Sequence, residues 1–243
     1  AMKNGLIERN PVKLAELPRQ TGKKKERMAM TKEQQDLFME YAKDSEIADI
    51  CELFLSTGLR SGELRGLDWE TDIDFKNKVI HVTGTLCHSG ETGWRKDEPK
   101  TRTSKRDIPM LGNVEHLLKR VRRQQMEKKL YMGDKWQPVK GFENLVFLEE
   151  SGLPMYQSSL KTKVDKIQRA IIKDGHVFEW ITPHTFRHTF ATRCFEAGID
   201  AKVVQKFLGH YSISITLDLY THITNEKAKE DMNKLENLYK KIV

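Results

Sequence analysis

Cysteine is scarce in this chain, with Cys51, Cys87 and Cys194 the only three in 243 residues and no CxxC pair among them. An odd number without paired spacing argues against a disulfide framework and against a zinc site, and fits a reducing compartment. Long apolar runs are missing too. No stretch approaches the roughly 20 residues that a membrane helix needs, and the opening Ala1-Met2-Lys3-Asn4-Gly5 has none of the apolar core of a signal peptide. The expectation is a cytoplasmic protein with no membrane partner. Glycine-rich phosphate loops of the GxxxxGK[ST] or GxGxxG kind are also lacking, as are internal repeats and low-complexity tracts. No cofactor is therefore signalled.

What is present in excess is positive charge. Lys and Arg number 42 against 35 Asp and Glu, a formal charge of +7, and the surplus is clustered. Residues 1–30 hold eight basic side chains against three acidic ones, and residues 95–106 hold six against two. Such patches suit phosphate contacts that release counterions. Lys23, Lys24, Lys25, Arg27, Arg102 and Lys105 are the candidate DNA contacts within them.

Residues 1–30 read as the end of one unit followed by a basic linker, because Arg9-Asn10-Pro11 breaks a short helix and few large apolar side chains follow Pro18. A domain starts near Thr31. Thr31-Lys32-Glu33-Gln34 matches a capping box, and Leu37, Phe38 and Tyr41 form the apolar stripe of a first helix. Ile47, Ile50, Cys51, Phe54 and Leu55 repeat that spacing, with Gly58 placed as a C-terminal cap. Ser61 is the expected cap of a short helix carrying Glu63, Leu64 and Leu67. From Asp72 to Met110 the pattern turns to strands: Ile73 and Phe75, then residues 79–82, then residues 106–109, a small antiparallel sheet with residues 87–99 as a long hairpin tip. Helices are expected over about 114–130, 157–173, 183–197, 201–208, 215–222 and 226–240.

Three segments carry chemistry-bearing side chains. Thr182-Pro183-His184-Thr185-Phe186-Arg187 opens a helix with a capping threonine and proline in the first turn, which puts His184 and Arg187 beside free backbone N–H groups and the positive end of the helix dipole. Leu208-Gly209-His210 ends the next helix, and Tyr220 follows ten residues later among Asp218, Thr221 and His222, an unusual setting for a core aromatic. Arg60 sits in a glycine-flanked bend, with Glu63 three residues on and able to orient it. Each has a plainer reading: a local helix cap, a half-buried tyrosine, a surface loop arginine.

Taken in order, TGLRSGEL (57–64), EPKTRTSKRDIPM (98–110), TPHTFRHTFATRCFEAGID (182–200) and FLGHYSISITLDLYTHIT (207–224) resemble the motifs of the tyrosine recombinase (phage-type integrase) family, closest to integrases of Gram-positive conjugative transposons. The resemblance runs from about Thr31 to the C-terminus. It implies an α+β fold, a mainly helical catalytic domain with a small antiparallel sheet near residues 72–110. It further implies that residues 1–30 end a core-DNA-binding domain and linker, that residues 31–224 form the catalytic domain, and that residues 225–243 form a C-terminal helix packed on its own domain or exchanged between protomers. By the same resemblance Arg60 and Arg187 hold the scissile phosphate, His184 and His210 assist by hydrogen bonding and proton handling, Tyr220 is the nucleophile and Lys100 protonates the leaving 5′ oxygen, with Lys96 and Lys105 as neighbouring alternatives. Glu63 and His188 support. The implied partners are double-stranded DNA recombination sites, further copies of the chain assembling from dimer to tetramer on DNA, and an accessory excision factor.

The residue types fit such a reaction. A phosphodiester in transfer builds charge on its non-bridging oxygens, and two guanidiniums can neutralise it without a metal ion. A phenol of pKa about 10 needs nearby cations and a proton acceptor to attack at neutral pH. His184 and His188 are spaced HxxxH, but Thr185 stands where a metalloprotease helix has glutamate. A DNA-binding regulator without chemistry explains the basic patches but not the dispersed Arg, Lys, His, Arg, His, Tyr set, and a type IB topoisomerase shares the chemistry but not the flanking motifs.

Overall fold

The computed structural model describes residue 7, residues 29–99 and residues 104–221, with residues 220 and 221 described by backbone alone. From residue 29 onward the described chain runs first through three helices, α1 (Lys32–Ala42), α2 (Ala48–Thr57) and the short α3 (Ser61–Arg65). Five strands follow, β1 (Ile73–Asp74), β2 (Val79–Val82), β3 (Thr85–Ser89), β4 (Gly93–Asp97) and β5 (Arg106–Pro109), and then α4 (Gly112–Met132), α5 (Gln157–Lys173), α6 (Pro183–Glu196), α7 (Ala201–Leu208) and α8 (Ile213–Thr221). This is the α+β, mainly helical arrangement that the sequence pattern implies.

Local chemistry sets the boundaries. Thr31 caps α1 with the reciprocal bonds of a capping box: its hydroxyl accepts from Gln34 N–H, and the Gln34 side chain accepts from Thr31 N–H, both at 3.1 Å. α2 stops where Gly58 enters the left-handed region at φ 63°. Any side chain at 58 would also collide with Phe190, whose Cδ1 lies 2.3 Å from an added Cβ, so α2 and α6 approach closely because this residue is glycine. The main core gathers Phe38, Phe54 and Phe186 with aliphatic side chains of α4 and α5. Phe186 meets Phe38 edge-on at 5.4 Å and stacks on Phe54 at 5.6 Å.

The sheet departs from expectation in two places. β1-β2-β5 is the anticipated antiparallel sheet, but β1 ends at Asp74 and leaves Phe75 outside it, packed against the core. Residues 87–99 are more than a hairpin tip, since β3 and β4 pair over five residues from Thr85↔Asp97 to Ser89↔Gly93 as a second, separate sheet. That segment is too polar for alternation to reveal it. Within the first sheet Ile80 and Ile108 are partners and both are buried, which fixes the register. A second, smaller core joins Ala191, Cys194 and Phe195 of α6 to Val204 and Leu208 of α7, with Leu219 of α8 against it. It places the C-terminal end of α7 over the bend between α2 and α3.

Candidate active site

The C-terminal end of α7 organises the site. The last carbonyls of a helix have no partner within it and carry the negative end of its dipole. Here three consecutive carbonyls each receive a different arginine. Arg106 Nε donates to Phe207 O, Arg187 Nη2 donates to Leu208 O, and Arg60 Nη2 donates to Gly209 O at 3.2 Å. Gly209 makes this possible by turning left-handed at φ 64°.

Each arginine arrives from another part of the fold. Arg60 lies between α2 and α3 and is itself the N-cap residue of α3, so the expected cap, Ser61, is instead the first helical residue. The capping group is Glu63, whose carboxylate accepts from Arg60 N–H at 2.8 Å and from Arg60 Nη1 at 2.7 Å. Arg187 is the fifth residue of α6, just past a first turn in which Thr182 N–H bonds the Thr185 hydroxyl at 3.0 Å and Pro183 occupies the first helical position. Its Nη1 also donates to Gly58 O at 2.9 Å. Arg106 opens β5 and meets both Glu63 oxygens, at 3.0 and 2.9 Å.

Two guanidiniums thus bond one carboxylate and a third, that of Arg187, feels its charge without bonding it, leaving two positive charges unmatched. Burial alone would raise the Glu63 carboxyl, but the hydrogen bonds and charge of Arg106, with Arg60 added, hold it down to about 2. Arg187, 1% exposed, is pushed down to about 9 by burial and by the charges of Arg60 and Arg106. Among the described residues no carboxylate lies within ion-pair distance of Arg187. Burial also drives His210 down to about 3, helped by Arg187 and Arg60, so its imidazole is neutral at pH 7. A cationic cluster of this kind, too crowded to satisfy itself, is stabilised by an added anion.

The two arginines expected to hold phosphate are unequally placed: the Arg60 side chain is 37% exposed, whereas Arg187 is buried. Arg60 and His184 share a cleft of about 890 Å³ that also takes in the start of α5 and the β3–β4 hairpin. Arg106, His210 and Lys105 line a second opening of about 640 Å³ with Lys202 and Lys206 of α7. His184 is exposed, and its ring stands edge-on to that of His188 at 4.5 Å. His210 Nδ1 pairs with the buried Thr216 hydroxyl at 2.9 Å, which fastens α8 to the site. Position 220 follows Thr216 by one helical turn.

Of the lysine alternatives, Lys96 is committed elsewhere, since its ammonium meets the buried Asp72 carboxylate at 2.6 Å. Lys105 is exposed beside Arg106. Lys100, Arg102, Lys23, Lys24, Lys25, Arg27, the Tyr220 side chain and the expected helix over 226–240 lie outside the described residues. Among the described residues no group of three or more His, Cys, Asp or Glu is placed to hold a metal ion, and no helix is long and apolar enough to cross a membrane.

Sequence reasoning missed the roles of Arg106 and Thr216. A signal for the former existed: Arg106 stands two residues before Ile108, in the inward register of an alternating strand. An arginine on a strand's buried face needs a carboxylate, and Glu63 supplies it.

Comparison with known proteins follows the same line. The model of the phage integrase family matches residues 28–227. The transposase of transposon Tn916 from Enterococcus faecalis is 30% identical over 214 residues, covering 85% of this chain and 50% of that protein. A tyrosine recombinase XerC-like protein of Caldanaerobacter subterraneus subsp. tengcongensis is 33% identical over 261 residues, covering 98% of this chain and 62% of that protein. The Tn1549 transposon integrase, solved in complex with transposon right end DNA, superposes with a TM-score of 0.76 at 29% identity over 97% of this chain and 74% of that one. XerA recombinase shares the fold, with a TM-score of 0.60 at 22% identity over 85% of this chain and 64% of that one. The chain spans about half the length of the Tn916 transposase.

Proposed function

The chain belongs to the phage integrase family, and from that premise we propose that it is a tyrosine recombinase, cleaving and rejoining DNA strands through a 3′-phosphotyrosine to integrate and excise a mobile element. The observation that supports this best is the gathering of Arg60, Arg106 and Arg187 at the end of α7 with Glu63 as their one bonded carboxylate among the described residues, two positive charges in excess beside a neutral His210. A phosphodiester carries one negative charge and gains more as a fifth oxygen approaches, so the unmatched charge suits the transition state better than the ground state.

In this reading the Tyr220 oxygen attacks the scissile phosphorus and the bond to the 5′ oxygen breaks. Arg60 and Arg187 hold the charge on the non-bridging oxygens. His210, tied to the helix that carries Tyr220, takes the phenolic proton once the bound phosphodiester offsets the arginine charges that help burial hold its imidazole down. His184 assists by hydrogen bonding from the exposed side, with His188 and Glu63 supporting. Lys100 supplies the proton that the departing 5′ oxygen takes up. The 3′-phosphotyrosine ester keeps the bond energy, and a 5′ hydroxyl of another strand reverses the step without ATP or a cofactor.

The substrate is double-stranded DNA bearing a recombination site, and the Tn1549 integrase, solved on transposon end DNA, supports that class. A dimer on one site and a tetramer in the synapse are the proposed assemblies, with an accessory excision factor as a further partner. The Tn916 similarity supports a conjugative transposon as the element. Residues 1–30 are read as the end of a core-DNA-binding domain and its linker, with Lys23, Lys24, Lys25 and Arg27 touching phosphates as do Arg102 and Lys105, and residues 225–243 as a tail helix.

The test uses a pool of nicked duplexes with randomised central sequence, in which a cleaved strand diffuses away and traps the covalent complex. The expected result is a protein–DNA adduct resistant to denaturant, mapping to the peptide that holds Tyr220. It should vanish in Tyr220→Phe while DNA retention persists. An adduct on another residue, or DNA bound with none formed, overturns the reading.

A further inference from the structure

We infer that Arg106 is a positioning residue of the active site, fixing Arg60 and the His210 turn relative to one another. Its guanidinium bonds both the carboxylate that supports Arg60 and a carbonyl of the turn that leads to His210. Two of its bonds go to the Glu63 carboxylate, at 3.0 and 2.9 Å, and that carboxylate in turn holds both the backbone N–H and the side chain of Arg60. A third goes from Nε to Phe207 O, three residues before His210. A fourth goes from Nη1 to Ser104 O at 3.2 Å, which anchors the start of β5 to the same point. With 6% of its surface exposed, Arg106 has little access to a substrate and acts through these partners.

The geometry requires arginine. A planar fork can meet two carboxylate oxygens with one edge and still present Nε to a carbonyl, whereas lysine offers a single point of charge. Without that fork Glu63 would keep only Arg60 as a partner and would be free to turn toward the buried Arg187. Arg60, held by Glu63 on one side and Gly209 O on the other, would lose the first constraint. Shifts of about 1 Å in a charge-bearing group can cost on the order of 100-fold in rate.

This inference deepens the recombinase reading and rests on it, so its test has two arms. In the first, the duplex recovered from the nicked pool is made with an ordinary scissile phosphate and with a methylphosphonate, whose missing negative charge removes the need for a well-placed guanidinium. Arg106→Gln and Arg106→Lys should both form adduct about 100-fold more slowly than the wild type on the phosphodiester, yet fall within about tenfold of it on the methylphosphonate. Equal losses on the two substrates would mean a general structural defect, and a fully active Arg106→Lys would mean that charge alone suffices; either overturns the inference. The second arm needs no activity. Amide hydrogen exchange in the DNA-free protein should quicken at Arg60, Leu64, Gly209 and His210 in Arg106→Gln while α5 stays protected, and unchanged exchange at those four amides overturns the link. Should the wild type form no adduct on either substrate, the recombinase reading falls, and the exchange arm still decides whether Arg106 ties the two segments together.

Discussion

Replacing Glu63 by glutamine tests the electrostatic core most directly. The carboxylate is 4% exposed and is the only anion bonded to Arg60 and Arg106 among the described residues. A carboxyl group held down to about 2 from an ordinary 4.5 corresponds to about 3 kcal/mol favouring its ionised form. Removal of one member of a buried charge cluster costs about 3–5 kcal/mol by general experience. For a domain of this size each kcal/mol lowers the melting temperature by about 2–4 °C, so Glu63→Gln should melt about 6–12 °C below the wild type at pH 7. The sign of the pH dependence follows from the depressed pKa. The stabilisation from Glu63 is complete above its unfolded value near 4.5 and disappears as pH falls toward 2, so the two proteins should converge in acid. Inorganic phosphate should also stabilise the variant more than the wild type, because it replaces the missing counter-charge. Thermal unfolding followed by circular dichroism at pH 7, 5 and 3, with and without phosphate, reads all of this. A melting difference below about 2 °C at pH 7, or one that is the same at pH 3, refutes the account of the cluster.

Two further outcomes follow from the same geometry. Gly58→Ala should cost about 2–4 kcal/mol, from a left-handed backbone and the clash with Phe190, measured as a shift in urea midpoint; a loss under about 1 kcal/mol contradicts the packing of α2 on α6. The His210 imidazole should stay neutral in NMR titrations until pH approaches about 3, and because the unfolded chain takes up that proton near 6.5, His210 should make folding less stable as pH falls between those values. A midpoint near 6.5 in the folded protein would show that neither burial nor the arginines act on it as the structure implies.

Much of this site is visible in the sequence because its residues sit at points where backbone rules are strict. Gly58 and Gly209 end helices in the left-handed region, and Thr182 with Pro183 starts one, so Arg60, His210, His184 and Arg187 are all placed by recognisable punctuation. Capping signals are local and can be read locally. The β3–β4 sheet was hidden because Trp94-Arg95-Lys96-Asp97 has no apolar alternation, and its pairing with Thr85–Ser89 is a long-range property. Arg106 stayed hidden for a related reason: its partner Glu63 is 43 residues away, and in sequence it looked like one more member of a basic patch. The difference between Arg60 and Arg187 in exposure depends on how α7 lies across the α2–α3 bend, which no spacing rule encodes.

The run of three carbonyls at the end of α7 gives the site a single mechanical datum. Because Phe207, Leu208 and Gly209 each grip one arginine, and the adjoining imidazole grips the helix that bears position 220, a small tug on that turn slackens charge and nucleophile support together. A shift at the end of α7 would therefore be felt at all three guanidiniums and at α8 together.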